Sequence, residues 1–309
     1  MSAVAQVAGN QLTEVERFAR RQRSLIKVFG ERFAETFSSP VLFIDDQVLR
    51  SPVATRFFHK DFAYLSKQLY LEYQYRSWKG YNQELLTRYA ELVGKKLENI
   101  KILMTNNVSR MRNLLSQQGY SLETTLWTKS IDIDVPVIAA QARTYWEMLL
   151  LLEQVYVLTA TANYFGVFSS SQREIAETQC KRAIRAFRSV LQTEVVKLYR
   201  EADRLIKEQH SSGNVDKGMA AMVEQQGKDI AEFDASDADD ARSDASLDLG
   251  GVDAGQLIDD AAAASTAGAA ASKRVKKPRT ASSGGAEHAL PAAAAAAVGA
   301  ADLAADATS

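Results

Sequence analysis

Apolar residues recur at three- and four-residue intervals through most of the first 210 positions, the spacing that lays one stripe along a helix. Residues 13–37 carry Val15, Phe18, Leu25, Phe29 and Phe33 on such a stripe, with Arg17, Arg20, Arg21, Arg23 and Lys27 on the other faces. Ser38-Ser39-Pro40 ends this first helix, because proline biases the residue before it away from helical geometry. Ser51-Pro52 opens a second helix with proline at its first position, and Phe58, Phe62, Leu65, Leu69 and Tyr73 carry its stripe to about residue 79. A break at Gly80 leads to a third and longer helix over 81–118. There Leu86, Tyr89, Val93, Leu97, Ile100, Met104, Met111 and Leu114 stand in near-heptad register. Asn106-Asn107 interrupts that run and predicts a register device or a kink.

Two short segments follow a different period. Residues 41–44 are β-prone and end at Asp45-Asp46, a predicted turn. Across 127–135, Trp127, Lys129, Ile131, Ile133 and Val135 alternate with Thr128, Ser130, Asp132 and Asp134, and Pro136 closes the strand. Pairing these two segments predicts a small ribbon. A fourth helix, 137–165, is the most apolar and is expected at the centre. Gly166 ends it. Ser171 and Glu174 have capping-box spacing for a fifth helix to 209, with Ile184, Phe187, Leu191, Val195, Leu198 and Leu205 inward. The predicted fold class is all-α: a bundle of about five long helices with a minor two-strand ribbon.

Composition divides the chain. After His210 the only aromatic residue is Phe233, so the 309 residues read as a flexible N-terminus (1–12), one helical domain (13–210) and a disordered Ala/Asp-rich tail (211–309). The net charge of −1 conceals an opposition. Residues 211–309 hold 8 Lys and Arg against 16 Asp and Glu, leaving 29 of the 37 basic and 22 of the 38 acidic residues for 1–210. The body is thus about +7 and the tail about −8, which fits polyanionic partners, self-masking of a basic surface, or solubility alone. The tail's own cations gather at Lys273, Arg274, Lys276, Lys277 and Arg279, a candidate phosphate contact. The apolar stretch 145–168 holds Glu147, Glu153, Gln154 and Asn163, each costly in lipid, and reads as a buried helix. One cysteine, Cys180, and no charged-then-apolar leader predict a cytoplasmic, reducing setting.

Candidate chemistry is sparse. His210 lies at the domain edge and His288 in the tail, so His59 is the only histidine expected within the fold and reads as an ordinary half-buried one, and Cys180 reads as a buried structural thiol. Asp132 and Asp134 share a strand face that reads as solvated, without a third ligand for a metal. No Gly-rich phosphate loop or dinucleotide fingerprint is present. The expectation is a protein that is not an enzyme, with no cofactor, metal or small-molecule substrate. Tyr70, Tyr75 and Trp78 lie off the expected core stripe and are candidates for a protein interface, with stacking of single-stranded bases as the other use. Lys181, Arg185 and Arg188 fall at i, i+4 and i+7 with Arg182 beside them. That face suits sequence-independent phosphate contacts, and equally an ordinary solvated helix face.

The turn Phe165-Gly166-Val167-Phe168-Ser169 and the segment Lys181-Arg182-Ala183-Ile184-Arg185-Ala186-Phe187-Arg188 follow a strand and a long apolar helix. In this order, over about residues 40–207, the chain resembles the AcaB-like family, labelled transcriptional regulators and carried by conjugative plasmids and integrative conjugative elements. The resemblance implies a role in regulating or maintaining a mobile element, without implying a DNA site. A ribbon-helix-helix reader fits poorly: Asp132 and Asp134 would face phosphate, and the helices are too long for that module. Two function classes follow. One is a DNA-associated regulatory or maintenance protein. The other is a helical-bundle interaction protein that self-associates or docks on another component without touching DNA.

Overall fold

The structure is a computed structural model that describes residues 14–120, 129–211 and 216–244, the last eleven of them as backbone only. Its elements run α1 (Glu14–Phe29), α2 (Glu31–Thr36), β1 (Leu42–Leu49), α3 (Pro52–Phe57), a π-helical turn (Phe58–Phe62), α4 (Ala63–Arg76) and α5 (Gln83–Gln117). They continue with β2 (Ile131–Val137), α6 (Ala140–Tyr164), α7 (Ser170–Ser211) and α8 (Lys217–Asp244). This is an all-α bundle with one two-stranded antiparallel ribbon. No helix among the described residues is long and apolar enough to cross a membrane.

The sequence stripes become the core. All eight of the named α5 residues are buried, and α5 packs along α6 and α7. In α7 the buried set Cys180, Ile184, Phe187, Leu191, Val195, Leu198 and Ala202 keeps the same three-four spacing. Between these helices lie Trp146 and Tyr145 of α6, with Phe62 and Phe187 against them. Glu153, one of the polar interruptions of α6, is buried too. Its carboxylate accepts from the backbone N–H of Arg50 (2.9 Å) and Ser51 (2.8 Å), satisfying donors at the start of α3. Burial pushes this carboxyl above its usual range, and the two N–H groups oppose that shift. Ser51 itself caps α3, accepting from Val53 and Ala54.

Several local expectations are corrected. The first helix does not run through to Phe37: it breaks at Gly30, whose φ of 89° lies in the left-handed region open to glycine. Asp45-Asp46 is not a turn but a bulge inside β1, where the register slips between Ile44 and Gln47 and Asp46 takes a φ of 55°. Pro136 does not close β2. It pairs opposite Phe43, which a ribbon tolerates because each strand has a free edge. Asn106-Asn107 makes no break; α5 is continuous, and buried Asn107 directs its amide at the Cys180 sulfur at 4.0 Å. The capping box sits two residues early. Ser169 Oγ accepts from Gln172 N, and Gln172 Oε1 accepts from Ser169 N, while Ser171 and Glu174 lie already inside α7.

The largest correction concerns the end of the fold. The body does not stop near residue 210. Residues 217–244 form α8, which buries Val223, Gln226, Ile230 and Phe233. The tail's poverty of aromatics hid this, because one ring and a few aliphatics suffice for a helix laid on an existing surface. Residues 245–309, including the cations at 273–279, lie outside the described residues.

Candidate polyanion interface

The π-helical turn is the local feature from which the site is built. It inserts one extra residue in a helix that otherwise runs from Pro52 to Arg76, and it turns Asp61 inward together with Phe58 and Phe62. A buried carboxylate needs a charged or hydrogen-bonding partner. Arg188 of α7 supplies it: Arg188 Nη1 donates to Asp61 Oδ1 at 2.8 Å, and the side chains are only 4% and 1% exposed. Phe233 of α8 closes the other side, its ring 4.0 Å from the guanidinium carbon of Arg188. The same ring stacks on Tyr64 of α4 at 3.6 Å, so α8 spans α4 and α7.

Arg188 is therefore not part of an exposed basic face, although its i, i+4, i+7 spacing suggests one. Nothing in that spacing points to Asp61, 127 residues away, or to a ring arriving from beyond residue 210. The remaining members do gather at one seam. Lys181 and Arg185 are half-buried and Arg182 is exposed. Arg185 lies over the ring of Phe57 with its guanidinium carbon 6.0 Å from the centroid, a contact from α7 to α3. On the α3 side, Arg56 immediately precedes Phe57, and Lys60 follows it by three residues within the π-helical turn. Around this one contact, Lys181 and Arg182 lie within about one turn of Arg185 on α7, and Arg56 and Lys60 flank Phe57 in sequence. Arg56 and Lys60 were missed because they are unremarkable in sequence until Phe57 is seen to touch α7.

The predicted aromatic interface is largely core. Tyr75 is fully buried, donates its hydroxyl to Gln226 of α8 and stacks on Tyr81. Tyr70 is also buried, hydrogen-bonded to Ser39 and edge-on to Phe37. Trp78 is half-buried against Tyr75. Tyr73, expected inside, is instead 69% exposed. The π turn accounts for part of this exchange, since its extra residue rotates the downstream helix relative to an unbroken 3.6-residue stripe.

His59 is exposed beside Phe58, not half-buried. Cys180 is wholly buried, and burial pushes its thiol up to about 11, away from reactivity. Asp132 and Asp134 do not share a solvated face. Asp132 is exposed, but Asp134 is buried, accepting from Asp46 N at 3.0 Å and paired with Arg20 at 2.5 Å. Arg21 pairs with Asp45, so two arginines of α1 are spent on the ribbon rather than offered to a partner. Among the described residues, no group of three or more His, Cys, Asp or Glu is arranged to hold a metal ion.

No family model matches the chain, and no curated protein matches it. A solved structure is similar to it: the crystal structure of selenomethionine-containing AcaB from uropathogenic E. coli, at 16% identity and a TM-score of 0.47, covering 63% of this chain and 97% of that one.

Proposed function

We propose that this protein is a non-enzymatic, DNA-associated protein that contacts duplex phosphates at the α3–α7 seam. The observation that supports this reading is the cluster Lys181, Arg182 and Arg185 within little more than one turn of α7, with Arg185 over the Phe57 ring. Such a surface neutralises backbone charge without reading bases, so its affinity falls steeply with salt and little with sequence. The regulatory or maintenance role on a mobile element rests on the sequence resemblance alone. Fluorescence anisotropy of the full chain with two duplexes of unrelated sequence tests the reading. Similar affinities that both weaken by at least tenfold between about 50 and 200 mM salt are expected. Absence of binding at the low-salt end removes it.

A second reading, self-association or docking without DNA, is favoured by a different surface. Val15 and Phe18 of α1 are 78% and 69% exposed, and Leu42 and Val48 of the ribbon are exposed as well. The predicted stripe of the first helix is thus bare at its N-terminal end, and only Phe29 is buried. A concentration-dependent mass in sedimentation, abolished by Val15→Ser with Phe18→Ser, would move the assignment to this class.

A further inference from the structure

α1 spends little of its apolar side on the fold. Only Phe29, in its last turn, is buried, whereas Val15, Phe18 and Ile26 are 78%, 69% and 37% exposed. At about 100° per residue, Val15, Phe18, Ala19, Gln22 and Ile26 fall within about 100° of arc, and all five are exposed. They form a stripe of about three turns, about 16 Å long. Arg20 and Arg21 lie on the opposite side of the helix and hold it to the ribbon. Arg20 pairs with Asp46 and Asp134, and Arg21 pairs with Asp45 and lies over the ring of Phe43.

Charge along one flank of the exposed stripe is bipolar. Glu16 stands at its N-terminal end, Arg23 and Lys27 stand at its C-terminal end, and all three are exposed. They lie within about 40° of one another around the helix. A partner of one sign matches only half of that flank: an anionic surface, lipid or nucleic acid, meets Glu16 as well as the cations. A second α1 turned end for end matches both halves. A two-fold axis near residues 20 and 21 brings Val15 of each copy opposite Ile26 of the other and Phe18 against Gln22. It sets Glu16 level with the gap between Arg23 and Lys27 of the other copy. A patch that is its own complement under such a rotation is what a symmetric dimer of identical chains requires. The antiparallel arrangement also brings opposite ends of the helix dipoles together.

We infer that α1 is the contact between two copies of this chain, paired antiparallel along the stripe from Val15 to Ile26 and oriented by Glu16 against Arg23 and Lys27. The inference rests on the second reading above, self-association, and gives it a face and an orientation. Lys181, Arg182 and Arg185 take no part in it. About three turns of one helix from each copy make a contact smaller than a standard protein interface, so the pairing is weak, on the order of 10–100 μM.

The test follows the full chain by sedimentation equilibrium over a concentration series reaching about 0.5 mM, where such a dimer is well populated. The wild type should pass from monomer to dimer. Glu16→Lys should weaken the pairing about tenfold at low salt, because like charges then face each other, and the loss should fade as salt rises. The triple exchange Glu16→Lys/Arg23→Glu/Lys27→Glu should restore the dimer, since the flank is again its own complement. Orientation is read with cysteines. Cys180 is buried, so Val15→Cys and Ile26→Cys chains, told apart by a tag on one, each present a single accessible thiol. Mixed in oxidised glutathione, they should form the disulfide between positions 15 and 26 in preference to either self-disulfide. Two Val15→Cys sites stand about 16 Å apart in an antiparallel pair, too far to be bridged. A monomer throughout the series overturns self-association and the inference together. A dimer indifferent to Glu16→Lys, or one that links Val15→Cys to itself, leaves self-association standing and overturns the antiparallel α1 contact.

Discussion

Asp61 and Asp134 are almost equally withdrawn from water, and each is met by an arginine from a helix far away in sequence, yet their surroundings differ. Arg188, which answers Asp61, is as buried as its partner and lies under a phenylalanine ring. Arg20, which answers Asp134, is 37% exposed and shares itself with Asp46. Asp134 also accepts a backbone N–H, and the bulge at Asp46 provides it. The first pair belongs to the core and depends on α8 for its roof. The second pins α1 to the ribbon at the surface, where water can replace much of what a substitution removes. Burial of one carboxylate thus says little about the cost of removing its partner; the partner's exposure decides it.

The comparison breaks most visibly at Arg188. Arg188→Ala leaves the Asp61 charge buried without its ion-pair partner and should cost about 3–5 kcal/mol in denaturant unfolding. Pairing it with Asp61→Asn should recover a large part of the loss. A cost near that of a surface substitution would show that Asp61 and Arg188 are not the desolvated unit described above. Phe233→Ala removes the roof but not the pair. Its expected cost is about 2 kcal/mol, below the range of central-core Phe→Ala changes because α8 lies at the edge, and the loss should be concentrated in α8 by hydrogen exchange. Arg20→Ala should cost about 1 kcal/mol and speed proteolytic cleavage within α1, leaving the α3–α7 seam unaffected. A penalty as large as that of Arg188→Ala would erase the distinction between the two pairs.

The smallest effect is a pH dependence. Lys101 Nζ stands 2.8 Å from Glu147 and, with Arg143, holds that carboxyl below its usual range. Because the folded value is depressed, the stabilisation is present above the ordinary carboxylate pKa and is lost as pH falls through the depressed one. The pair is half-exposed, so Lys101→Met should remove less than about 1 kcal/mol at neutral pH. The difference from wild type should close in acid; a difference that widens as pH falls would contradict the assignment.

Much of the fold was legible in the sequence because long helices repeat their signal. The stripe of α5 and that of α7 each run for many turns, so one local irregularity cannot hide them. The ribbon was legible too, though its extent was not. A bulge and a tolerated proline are decisions of pairing, which no single strand records. What escaped was non-local. The π turn leaves no mark in composition, and it decides that Asp61 faces inward while Tyr73 faces out. α8 escaped because its apolar residues are few and borrow their burial from α4 and α7. The candidate site was half legible for the same reason. Lys181, Arg182 and Arg185 could be read from spacing, whereas the contact of Arg185 with Phe57 could not.

The central claim is that the cations of the seam carry phosphate contacts, and the salt slope of duplex binding tests it most directly. The full chain is compared with its Lys181→Ala/Arg182→Ala/Arg185→Ala variant, each titrated with one duplex at several salt concentrations. The triple variant should bind more weakly to every sequence, and its slope of log affinity against log salt should be shallower by roughly 2–3 units, about 0.9 for each phosphate that is no longer neutralised. Equal slopes and affinities, with the variant still folded by circular dichroism, would contradict the claim.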